Sequence, residues 1–166
     1  MFDHQGPRTT ESCCGRRNDP MSVRIEKAGL EPRDQVVLQT ARYFFESFAN
    51  PEHQSWLLGF KCPTLTYGEI DGVRVASLVL GAVQAMRQAR QSCFRFNNPH
   101  CANCARLLSE HEGLFMRSFI ALREGRRPVA FSYAMLLCET NPVDTFLAAQ
   151  TRLINATDAL EMQPMS

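Results

Sequence analysis

Apolar side chains recur at three- and four-residue steps through most of the chain, and Pro, Gly and Asn interrupt them. In EPRDQVVLQTARYFFESFAN, residues Val37, Ala41, Phe44, Phe45 and Phe48 share one face of a helix. Pro32 suits its first position and Asn50–Pro51 stops it. PEHQSWLLGF reads as a short second helix ended by Gly59, and KCPTLTYGEIDG as a connector with an extended piece at Thr64–Tyr67. Asp71 can cap a third helix from Gly72 to Cys93, with an apolar stripe of Val75, Val79, Val83 and Met86. Its Gln84, Arg87, Gln88 and Gln91 make a wet face. Asn98–Pro99 then opens a fourth helix that continues to about Gly125, because Asn caps well and Pro favours the first turn. Pro128 and Asn141–Pro142 open two more.

No strand alternation of useful length competes with this pattern, and no repeat period shows. The expectation is therefore an all-α, single-domain bundle of five or six helices with short loops, over residues 31–158. Residues 1–30, rich in Gly, Pro, Ser, Arg and Asp, read as a disordered N-terminal tail, and 159–166 as a frayed C-terminus. Met21, within this stretch, offers an alternative start. At 166 residues, with 45% apolar and 21% charged side chains, the chain can bury a core unaided. It has no apolar run long enough to cross a membrane as a helix, and MFDHQGPRTTESCCGRRNDP has no signal-peptide core. Cytoplasmic location is the expectation, with reduced cysteines.

The chemistry-bearing stretch is CFRFNNPHCANC, residues 93–104. If Asn98 caps a helix, Cys101 and Cys104 lie three apart on one face and can share a metal ion, as CxxC pairs do in zinc sites. Cys93 is the natural third ligand across the turn. His100 is a candidate fourth, with Cys62, in its loop before Pro63, as the alternative. Cys138 looks like core. His111 would stand about 10 Å beyond Cys104 on a continuous helix, too far to join the same ion, and reads as a partly buried, hydrogen-bonded histidine. Three roles stay open for the cluster: plain packing, since free cysteine behaves as a small apolar residue, a structural zinc, or a Cys101/Cys104 thiol–disulfide pair. The strand that precedes thioredoxin-like motifs is missing, which places the redox role behind the metal.

Seven cysteines is an odd count, which argues against a disulfide scaffold. Sixteen of the eighteen basic residues are Arg. Residues 84–127 hold eight of these arginines against Glu110, Glu112 and Glu124, so the middle of the chain is basic while both ends are acidic. Arg87, Arg90, Arg95 and Arg106 form the expected partner-binding patch beside the cysteines. Arg123, Arg126 and Arg127 form a second patch about 30 Å away. An acidic protein partner is the first expectation; nucleic acid is the alternative, against which stands the apolar character of the helix after Pro128. Phosphate-loop, dinucleotide-loop, HExxH and GxSxG motifs are all missing. The couples Cys62–His53 and Cys101–His100 lack a supporting context, and Glu110–Glu112 sit on a basic helix. The leading expectation is a small non-enzymatic accessory or regulatory protein, with zinc as its cofactor.

Overall fold

A computed structural model of the chain describes residues 21–162. Six helices longer than one turn build it: α1 (Pro32–Ala49), α2 (Trp56–Lys61), α4 (Glu69–Ala89), α6 (Glu110–Arg123), α7 (Arg127–Leu137) and α8 (Asp144–Glu161). Single turns α3 (Thr64–Tyr67) and α5 (Ala102–Ala105) join them, so the expected all-α bundle is present. α4 lies along α8, α6 along α7, and α1 packs on both α2 and α4.

The apolar stripes explain this arrangement. Val37, Ala41 and Phe44 of α1 meet Val75, Val79, Val83 and Met86 of α4, all 1% exposed or less. Phe115 and Phe119 of α6 and Phe146 of α8 close the core from the other side. Burying each such phenylalanine contributes roughly 1.5–3 kcal/mol. Gly59 does not end α2. It lets that helix sit on Phe44, whose Cε1 would lie 2.8 Å from an added Cβ. The piece expected to be extended at Thr64–Tyr67 is the helical turn α3, held by Tyr67 N–H and Gly68 N–H on the Pro63 and Thr64 carbonyls. Likewise α4 begins at Glu69, so Asp71 stands in its first turn and does not cap it.

The largest departure lies between Asn98 and Arg123. The expected continuous fourth helix is broken into α5, a short strand β2 (Leu107–Leu108) and α6. Asn98 uses its side chain to accept the His100 N–H at 2.8 Å, which closes a local turn rather than capping a helix. The helix starts instead at Ser109, whose Oγ accepts the Glu112 N–H while Glu112 takes the Ser109 N–H, a capping box. Arg42 stabilises the break from α1, taking the Ala105 carbonyl at 2.8 Å and that of Leu107. Asn141–Pro142 also precedes its helix by a little, since α8 starts at Asp144.

The expected tail 1–30 differs at its end. Strand β1 (Val23–Arg24) pairs antiparallel with β2, Val23 opposite Leu108 and Arg24 opposite Leu107. Ile25, Ala28 and Leu30 pack on the core, which gives this stretch the apolar anchors a disordered tail lacks. The rest of the expected tail, residues 1–20 with Cys13 and Cys14, lies outside the described residues, as does 163–166. Residues 159–161 continue α8.

Candidate functional site

After α4 the chain does not leave the bundle but folds back across it, and four anchors hold it there. Arg90 is the first. Its guanidinium donates to the Leu137 carbonyl at the end of α7, to the Ser92 carbonyl at 3.1 Å and to the Ser92 hydroxyl at 2.8 Å. It also stands 3.5 Å from the Glu139 carboxylate, leaving its side chain only 6% exposed. Glu139 is the second anchor. Its carboxylate accepts the Ser92 hydroxyl and the N–H groups of Gln91 and Ser92. These donors, led by the Ser92 hydroxyl, hold its pKa down to about 2.

His111 is the third anchor: the Arg95 N–H donates to its Nδ1 at 2.9 Å, and Arg90 Nη2 lies 3.2 Å from Nε2. The hydrogen-bonded histidine expected from sequence is found, though on a helix separate from Cys104. The fourth anchor is Glu112, fully buried, which pairs with Arg42 through Nε at 2.6 Å and Nη2 at 2.9 Å. Glu112 also accepts the Asn97 N–H at 3.1 Å, and the Ser109 hydroxyl donates to the Arg95 carbonyl. Each oxygen of this buried carboxylate is met by donors, which is the condition for keeping a charge in a core.

Folded back in this way, the loop lays Phe94 on Phe45 with ring centroids 4.2 Å apart, and Phe96 beside it at 5.7 Å. Between the loop, the C-terminal half of α1 and the end of α4 runs a groove of about 270 Å³. Phe45, Phe48, Phe94, Phe96 and Met86 line it, and Cys93 and Arg87 stand at its edge. The Arg87 guanidinium lies 3.7 Å over the Phe48 ring and donates to Gln84 Oε1, so its charge is presented to the groove without an acidic partner among the described residues.

The expected patch of four arginines is therefore divided. Arg87 serves the groove, Arg90 is an internal brace, and Arg95 extends to Glu110 at 3.1 Å. Arg106 faces a different cavity with Arg24. In the expected second patch Arg123 is bound to Asp34 and Arg126 to Glu124, so its charge is largely answered within the bundle.

The expected metal ligands are not gathered either. Cys101 and Cys104 share one turn, the Cys104 N–H donating to Cys101 Sγ at 3.5 Å. His100 turns away to bond Ser55 Oγ at 3.0 Å and to lie against Tyr43. Cys93 is exposed at the groove edge, and Cys62 is half-buried at the end of α2, where burial raises its thiol pKa. Among the described residues no group of three or more His, Cys, Asp or Glu is placed to hold a metal ion. Cys138 is core as expected, and burial pushes its thiol up to about 11.

The groove's aromatic loop residues were missed in the sequence, where Phe94 and Phe96 read as part of a turn between helices. Their alternation with Cys93, Arg95 and Asn97 is the signal that one side of the segment is apolar. In comparison with known proteins, no family model, no curated protein and no solved structure matches the chain.

Proposed function

We propose that the chain is a cytoplasmic accessory protein that holds a segment of a protein partner, one with a large apolar residue beside an acidic one, in the groove between α1, α4 and residues 90–97. The observation that carries this reading is a cation over an aromatic ring at an apolar groove: Arg87 above Phe48, with Phe45, Phe94, Phe96 and Met86 in the lining. Apolar walls reward burial of a large side chain, and a guanidinium at the rim favours a carboxylate next to it. The four anchors keep the loop in place before a partner arrives, which lowers the ordering cost of binding. The basic middle of the chain would steer an acidic segment toward this side. A reducing compartment suits a chain of seven cysteines whose Cys62 and Cys138 are packed as thiols. No helix among the described residues is long and apolar enough to cross a membrane.

Selection of displayed random peptides on the immobilised protein tests the reading. Wild type is expected to enrich sequences with a large apolar residue beside Asp or Glu, and Arg87→Glu is expected to bind them about tenfold less well or worse. Enriched peptides without an acidic residue, or equal binding by the two proteins, would overturn it.

A further inference from the structure

Away from the groove, the antiparallel pairing of β1 and β2 sets Arg24 against Leu107, and the Ile25 N–H donates to the Arg106 carbonyl at 2.9 Å. This short ladder brings two arginines, distant in sequence, to one cavity of about 320 Å³, lined by Arg24, Asn103, Arg106 and Leu107. Both arginines are exposed, and neither forms an ion pair or side-chain hydrogen bond with another described residue. Glu110, the acid nearest to Arg106 in sequence, is engaged by Arg95. Two like charges facing one cavity repel unless an anion lies between them.

We infer that this cavity binds a phosphomonoester, with Arg24 and Arg106 clamping the phosphate. Guanidinium forks match the oxygens of a phosphate in bidentate fashion, and the Asn103 amide adds a further donor from the turn α5. A bare phosphate ion would leave most of this cavity empty, since cavities near 300 Å³ accept small organic ligands. The half-buried Leu107 gives the organic part of the ester an apolar wall. The source is either a phosphorylated side chain of a protein or a small phosphate ester. This inference does not depend on the aromatic groove.

Fluorescence polarisation at physiological ionic strength, with a labelled phosphoserine peptide and its unphosphorylated twin, tests the inference. Free phosphoserine and inorganic phosphate serve as competitors. Saturable binding of the phosphopeptide alone, displaced by free phosphoserine, supports the clamp with a protein source. Equal affinity for free phosphoserine and the phosphopeptide supports it with a small-molecule source. In both cases Arg24→Gln and Arg106→Gln should each weaken binding about tenfold, and Arg106→Lys should weaken it less. Circular dichroism of each variant keeps misfolding apart from loss of the clamp. No saturable binding by wild type, or binding that survives in the Arg24→Gln/Arg106→Gln double variant, overturns the inference.

Discussion

Arg42 and Glu112 are 1% and 0% exposed at their side chains, and each is the other's ion-pair partner in the core. Their geometry also serves the chain trace, since Arg42 takes two carbonyls that a continuous helix would have used, and Glu112 caps the helix that replaces it. Arg42→Met should therefore cost about 3–5 kcal/mol in urea unfolding, leaving Glu112 buried without its partner. Arg42→Met/Glu112→Leu should cost clearly less than the two single changes added together. Strict additivity would show that the pair is not coupled. Glu139 gives a second residue-level test, through acid. Its folded pKa lies near 2, below the ordinary carboxylate value of 4.5. Its contribution to stability is thus complete above the unfolded pKa and disappears as pH falls from about 4.5 toward 2. Urea midpoints measured from pH 6 to pH 2 should converge for wild type and Glu139→Gln at the acid end, with wild type the more stable at pH 6. Parallel curves would contradict the clamp on Gln91 and Ser92.

Helix positions were readable from the sequence wherever burial follows the local period, as in α1 and the middle of α4. They were misread where a distant partner decides. Nothing between Asn98 and Leu108 announces that Arg42 will take the carbonyls of Ala105 and Leu107, so Asn98–Pro99 looked like a helix start. The local signal that was present, Ser109 and Glu112 in capping-box spacing, sat inside an apparently unbroken helix and was overlooked. The geometry read for the cysteine stretch also assumed that helix, whereas the folded turn sends His100 to Ser55. Two glycines of α4 test the packing of elements directly. A Cβ at Gly72 would meet Thr64 Cα at 2.4 Å, while Gly81 has open space around it. Gly72→Ala should destabilise by about 1–3 kcal/mol by forcing α3 away from α4. Gly81→Ala should stabilise by roughly 0.5–1 kcal/mol, since alanine restricts the unfolded chain and favours the helix. Thermal unfolding of the two variants reads both signs.

Across the whole molecule, charge and shape divide the patch expected beside the cysteines. Arg87, Arg90, Arg95 and Arg106 read together in the sequence; folding spends Arg90 inside, sends Arg106 to Arg24, and leaves Arg87 to present its charge over the aromatic groove. The groove was invisible in the sequence because its walls come from α1, α4 and a loop whose return path is fixed by Arg90, Glu139, His111 and Glu112 together. Charge exchange across the groove is the most direct test that it is the partner site. An acidic peptide selected on wild type is titrated against wild type and Arg87→Glu, and a second peptide with Lys in place of its acid is titrated in the same way. Complementary pairs should bind and like-charged pairs should lose about tenfold or more, with Arg87→Glu recovering affinity for the Lys peptide. If Arg87→Glu keeps its affinity for the acidic peptide and gains none for the Lys peptide, the groove is not where the partner binds.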